Sequence, residues 1–96
     1  MKLRKFEDHL YEKLSDPEFA RIYLETAMED GIEEFLYALR DVANAQQGGF
    51  TNVAKKANLG RESMYKSLSK QGNPRIRTLD SILDAVGMKI SVERKN

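Results

Sequence analysis

Few residues in this chain could do bond-making chemistry, and most of its functional potential lies in charge. There is no cysteine and a single histidine, His9. The lack of cysteine removes disulfides and thiolate metal sites together, which suits a reducing cytoplasm. His9, with Glu7 and Glu12 nearby, does not make a metal set. Ser63, Ser67 and Ser69 have no second histidine for a nucleophilic triad, and His9 lies far from them in sequence. Glu33 and Glu34 are neighbours and project in different directions from a helix, so paired-carboxylate catalysis has no geometry. Gly48-Gly49 and Gly72 do not follow a strand as a phosphate loop requires, and read as a helix exit and a loop. Neither an enzyme nor a cofactor protein is expected. What remains is polyanion recognition, through a basic and aromatic array between Thr51 and Ser69.

That segment has the anatomy of a helix-turn-helix. Ala54 supplies the small side chain needed where two steeply crossing helices touch. Asn58 is one of the few non-glycine residues that tolerates the positive φ of a tight turn. Val53, Ala57, Leu59, Met64 and Leu68 then face the core, and Arg61, Glu62, Tyr65 and Lys66 point outward from the second helix. In this geometry the start of the second helix enters the major groove and the first lies across the backbone. Arg61 could pair bidentately with guanine, Lys66 could reach a base acceptor or a phosphate, and Glu62 can accept from cytosine N4 or repel wrong sequences. Tyr65 offers a hydroxyl to a base edge. Thr51, Lys55, Ser63, Lys70, Arg75 and Arg77 suit phosphate contacts, which set register without reading sequence.

The net charge of +1 conceals a polarity along the 96 residues. Residues 1–49 carry 6 Lys/Arg against 11 Asp/Glu, and residues 50–96 carry 10 against 4. A basic half attracts polyanions; an acidic half attracts a basic partner or keeps the chain soluble. Five acids (Glu25, Glu29, Asp30, Glu33 and Glu34) and no base lie between Arg21 and Arg40. Glu25 and Glu29 lie one turn apart, so their repulsion weakens an isolated helix slightly. No apolar run is long enough to span a bilayer, and no secretory signal is evident.

The elements that must position the array are helical almost throughout. Leu3, Phe6, Leu10 and Leu14 form the stripe of a first helix. Ser15-Asp16-Pro17-Glu18 predicts a stop and restart, with Ser15 and Glu18 as a capping box and Pro17 in the first turn. A second helix runs to about Glu29, burying Phe19, Ile22, Tyr23 and Ala27, and Asp30-Gly31 interrupts it. A third carries Ile32, Phe35, Leu36, Leu39, Val42 and Ala43 on one face and ends at Gln46-Gln47-Gly48-Gly49. Thr51 is expected to cap a fourth helix through Ala57, Arg61 to Ser69 to form a fifth, and Thr78 to cap a sixth, Leu79 to about Val86, closed by Gly87. Pro74 keeps the segment from Lys70 to Pro74 out of helix. Met88, Ile90 and Val92 then alternate with Lys89, Ser91 and Glu93, which predicts a β-strand over 88–93. A lone strand needs a partner, and no second strand is evident, so a symmetry mate or another protein would have to supply one.

The stretch Gly49 to Val92 resembles the Xre/λ-repressor-like helix-turn-helix proteins. The resemblance rests on Ala54, Asn58-Leu59-Gly60, Tyr65-Lys66-Ser67-Leu68, Gly72-Asn73-Pro74, Thr78-Leu79 and Leu83-Asp84-Ala85-Val86-Gly87. With Asp16-Pro17-Glu18 and Tyr23-Leu24-Glu25 added, the chain is similar to the "addiction module antidote protein" branch of that class. The resemblance implies an antitoxin of a type II toxin–antitoxin pair. Such a protein neutralises a small basic RelE/ParE-like toxin and represses their shared operon as a homodimer on double-stranded operator DNA. The expected fold is mainly α: a helix-turn-helix domain over residues 31–96 with a short C-terminal strand, preceded by a helical extension over residues 1–30. The strand replaces the fifth helix usual in λ-repressor-like domains, so dimer geometry does not carry over; pairing through Met88–Glu93 is one route. Glu25, Glu29, Glu33 and Glu34 are candidate toxin contacts, and the Met1–Leu14 helix is an equal alternative. A stand-alone Xre-type regulator is the competing reading.

Overall fold

The computed structural model describes residues 2–96, with side chains from Phe6 onward. Among the described residues six helices follow one another: α1 (Lys2–Leu14), α2 (Pro17–Asp30), α3 (Ile32–Ala45), α4 (Gly49–Lys56), α5 (Arg61–Ser67) and α6 (Ile76–Ala85). Leu3, assigned to the first apolar stripe, lies outside the described side chains.

Helix α3 is the centre of the molecule because it is apolar on the most sides. It buries Phe35, Leu36, Ala38, Leu39, Val42 and Ala43, and α1, α2 and α4 all lean on it. The core continues through Leu14 of α1, Ala20 and Leu24 of α2, Val53 of α4, Met64 and Leu68 at α5, and Ile82 of α6, as one cluster. No polar side chain among the described residues is buried. The interior is therefore held by apolar burial, worth about 1.5–3 kcal/mol per fully buried Leu, Ile or Met.

The start of α2 differs from the capping box the sequence suggests. Asp16 is the cap; its carboxylate accepts from the Phe19 N–H at 3.1 Å. Ser15 turns back, its hydroxyl donating to the Glu12 carbonyl at 2.6 Å, and Glu18 is taken by Arg21. Capping at Asp16 puts Pro17 at the first helical position, where its missing N–H costs nothing, and sets a negative charge at the positive end of the helix. Gly31 joins α2 to α3 without a linker. Its N–H reaches the Ala27 and Met28 carbonyls while its own carbonyl accepts from Phe35, and its φ of 139° is open to glycine and closed to other residues.

Two further caps are corrected. Helix α4 begins at Gly49, so Thr51 sits inside its first turn, and α6 begins at Ile76, so Thr78 does the same. Neither Gly48 nor Arg75, the true caps, uses a side chain. In both places the preceding backbone turns the chain early: Gly48 is left-handed, and Arg75, after Pro74, is extended.

The buried face of α2 is also not the one expected. Ala20 and Leu24 are buried, Tyr23 and Ala27 are half-buried, and Phe19 and Ile22 stay 38% and 49% exposed. Apolar residues occur on most sides of this helix, so periodicity alone does not choose the inner face. The small Ala20 does, by letting α2 lie close to α3. Phe6 and Ile32 likewise remain 66% and 69% exposed.

The strand expected over Met88–Glu93 is absent, and no strand occurs among the described residues. Helix α6 closes with Gly87 N–H on the Asp84 carbonyl (3.0 Å) and Met88 N–H on the Leu83 carbonyl (2.8 Å), the paired bonds of a Schellman motif. Beyond it Met88 packs against the core, whereas Val92 is 93% exposed. An alternating pattern becomes a strand only by hydrogen bonding to a neighbour, and the described residues include no second strand to pair with it.

Candidate nucleic-acid interface

Helices α4 and α5 are set against each other by a four-residue connection. The Asn58 N–H donates to the Lys55 carbonyl at 3.0 Å and the Leu59 N–H to the Ala54 carbonyl at 2.9 Å. This is a second Schellman motif, with Asn58 at φ 59° in the left-handed position. Ala54 is buried where α4 meets its neighbours. Val53, Ala57, Met64 and Leu68 are buried and Leu59 is half-buried. Burying Met64 and Leu68, four residues apart, turns the opposite face of α5 outward.

Arg61, Glu62, Tyr65 and Lys66 are exposed on that face. Thr51 and Lys55 on α4, Ser63 on α5, and Lys70, Arg75 and Arg77 in the following loop and helix are exposed too. Gly72 lets the loop fold back under α5. A Cβ there would lie 2.7 Å from the Ser67 carbonyl carbon and 2.8 Å from the Lys66 oxygen, too close for any side chain.

The exposed face is not a row of independent side chains. Arg61 Nε donates to Thr51 Oγ1 at 3.2 Å, and its guanidinium carbon lies 5.8 Å from the centre of the Phe50 ring. Phe50 and Tyr65 meet edge to face, 5.8 Å between centres with 65° between planes. On the other side of Tyr65 lies Arg40, its guanidinium carbon 3.8 Å over the ring and Nη2 donating to the hydroxyl. Arg40 is also 5.2 Å from the Tyr37 ring. A continuous train of cations and rings thus runs Arg61, Phe50, Tyr65, Arg40, Tyr37. Each such contact is worth about 0.5–1 kcal/mol when exposed, enough to orient a side chain and weak enough to be exchanged for a phosphate or a base.

Arg40, Tyr37 and the buried Phe50 are not legible in the sequence as part of this arrangement. Arg40 sits 25 residues before Tyr65, and only the packing of α3 on α4 brings them together. The one sequence signal is that Arg40 is the first base after the acidic stretch.

The acidic half has its own geometry. Glu25, Glu29, Glu33 and Glu34 are all exposed. Arg21 bonds Glu18 at 2.5 Å and Glu25 at 2.6 Å, the two ion pairs among the described residues. The Arg21 bond holds the Glu18 carboxyl below its usual range. Nearby, the half-buried Tyr23 hydroxyl donates to Asp41 Oδ2 at 2.7 Å, tying α2 to α3. Burial pushes the Asp41 carboxyl up, and the Tyr23 bond opposes this in part. Burial first, then Asp41, pushes Tyr23 well above the ordinary phenol range. Among the described residues no cluster of carboxylates and histidine has the shape of a metal site, and no helix is long and apolar enough to cross a membrane.

A family model described as "probable addiction module antidote protein" matches residues 2–94. An uncharacterised protein of Haemophilus influenzae Rd is 36% identical over 84 residues, spanning 86% of this chain and 84% of its own length. No solved structure matches.

Proposed function

We propose, from the premise that the chain belongs to the probable addiction module antidote protein family, that it is an antitoxin reading operator DNA through α4 and α5. It represses its own operon and neutralises a small basic toxin of the RelE/ParE-like kind. The observation that carries the DNA half is the exposed face of α5. Arg61, Glu62, Tyr65 and Lys66 stand outward behind the Asn58 turn, flanked by exposed Lys55, Lys70, Arg75 and Arg77. Arg61, Glu62, Tyr65 and Lys66 read bases, and Thr51, Ser63 and the flanking cations position the protein on phosphates. The acidic surface of residues 1–49 faces the toxin, with Glu25, Glu29, Glu33 and Glu34 supplying attraction and faster association.

As a homodimer the protein prefers an inverted repeat whose half-site centres lie about 34–36 Å apart. Footprinting on the DNA upstream of the gene tests this; a monomer protecting a single half-site defeats the dimer. Co-expression with the product of the adjacent gene tests the toxin half. A neighbour that stays toxic and does not co-purify defeats it.

One observation favours a stand-alone Xre-type regulator instead. Leu14, Ala20 and Leu24 of α1 and α2 belong to the same core as α3, so these helices have a structural task without any toxin. The co-expression experiment separates the two readings.

A further inference from the structure

Helices α2 and α3 leave an open groove of about 430 Å³ on the surface. Its floor is apolar. Phe19 and Ile22, expected in the core, line it instead, together with Tyr23 and Tyr37. Asp30 and Glu34 are the charged residues of its lining, so its charge is acidic. Glu29 and Glu33, one residue before each, are exposed as well. The cations at either end of the helix pair are already engaged: Arg21 by Glu18 and Glu25, and Arg40 by the Tyr65 and Tyr37 rings.

A second groove, of about 510 Å³, lies between α2, α6 and the C-terminal segment, but its lining mixes Arg21 and Lys89 with Glu25 and Glu93. It selects no sign of charge. The α2–α3 groove does.

We infer that the α2–α3 groove is the docking site for a basic amphipathic segment of a protein partner, with apolar side chains over Phe19, Ile22 and Tyr37 and Lys or Arg against Asp30 and Glu34. Exposed aromatic and aliphatic side chains held in a groove gain when a partner excludes water from them, and a one-sign rim steers an oppositely charged partner onto the site. The inference rests on the antitoxin reading for the identity of the partner as the toxin, and on the groove alone for its chemistry.

The test uses the full chain labelled with nitrogen-15 and two short helical peptides, one of leucine and lysine, one of leucine and glutamate. The leucine–lysine peptide is expected to shift the amides of Phe19, Ile22 and Tyr37, and the leucine–glutamate peptide to leave them in place. Ile22→Ser and Glu34→Lys, both at exposed positions, should each weaken binding about tenfold, while Phe6→Ser on α1 should not. Shifts spread over other acidic surfaces, or none, overturn the assignment. So do groove shifts that follow protein concentration without peptide, which would make a second copy the occupant.

Pull-down of the adjacent gene product with the same variants separates the two failures. Equal capture by wild type, Ile22→Ser and Glu34→Lys overturns the groove and leaves the antitoxin reading standing; loss through Phe6→Ser alone moves the site to α1 and also overturns it. A neighbour never bound by the wild type overturns the antitoxin reading, and the peptide footprint still decides the groove.

Discussion

The guanidinium of Arg40 lies 3.8 Å over the ring of Tyr65 and joins α3 to the outward face of α5. Tyr65 is thereby held by two neighbours, the Arg40 guanidinium over its ring and the Phe50 ring in edge-to-face contact with it. A side chain ordered in advance loses less entropy on binding.

Removing that grip has a measurable consequence. Arg40→Ala should lower unfolding stability by about 0.5–1 kcal/mol and weaken operator binding. It should also reduce the slope of log affinity against log salt by about one if the cation faces phosphate in the complex. Arg40→Lys restores charge but not the planar stack, and should recover the salt slope more fully than the stability. Urea unfolding and a salt series of gel shifts check both. Wild-type values for Arg40→Ala in the two assays would mean the stack orients nothing that matters.

Arg61 sits at the start of α5 with a neutral hydrogen bond to Thr51 and a loose contact with the Phe50 ring to give up. Arg61→Ala should cost about 1–3 kcal/mol of operator affinity and relax the preference at one base pair. The check is binding to operator variants beside random DNA. Equal loss on both would reduce Arg61 to a phosphate contact.

The loop after α5 gives a contrast between two glycines. Gly72→Ala pushes a methyl into the Ser67 carbonyl, and should destabilise by about 1–3 kcal/mol because backbone must move. Gly60 has an ordinary extended φ of −68° and only Ser63 Oγ near its missing Cβ, at 3.8 Å. Gly60→Ala should stay within about 0.5 kcal/mol of wild type, lower chain entropy in the unfolded state offsetting a poorer helix cap. Thermal melts of the two variants decide the matter.

Asp41 makes the fold sensitive to pH. Burial raises its carboxyl above the unfolded value, so the folded state holds the proton more tightly. The contribution to stability is therefore fully present below the unfolded pKa and is lost as pH rises through the folded one. Glu18 acts with the opposite sign, since Arg21 lowers it, so the informative quantity is a difference between proteins. Asp41→Asn keeps a carbonyl to accept from Tyr23 and removes the charge. Its stability relative to wild type should rise between about pH 3 and 7, measured by urea unfolding at each pH. A constant difference across that range would show that Asp41 is not burdened by its burial.

Much of the scaffold was readable from residue type alone, because its causes are local. Six helices follow from apolar spacing and stop signals. Asn58 was identified as the positive-φ residue of the turn because so few side chains tolerate that conformation, and it stands at φ 59°. The helix-turn-helix anatomy turns Met64 and Leu68 inward, and both are fully buried. Cap positions were less legible. Ser15, Thr51 and Thr78 each have the right chemistry, yet Asp16, Gly48 and Arg75 hold the places because neighbouring backbone set the frame first.

The amino-acid sequence by itself determined the helical periods, the turn between α4 and α5, the outward charges on α5 and the acidic and basic halves. Only the tertiary structure decided which side of α2 faces inward, since Phe19 and Ile22 satisfy the helical period as well as Ala20 and Leu24 do, and close approach to α3 favours the smaller surface. It also left Met88–Glu93 without strand structure, because a strand is a property of two segments and the described residues include no second one to pair with it. Above all it placed Arg40 over Tyr65. Helical spacing relates residues three and four apart, and nothing in it relates residues 25 apart; that distance is closed only when α3 and α4 share a core.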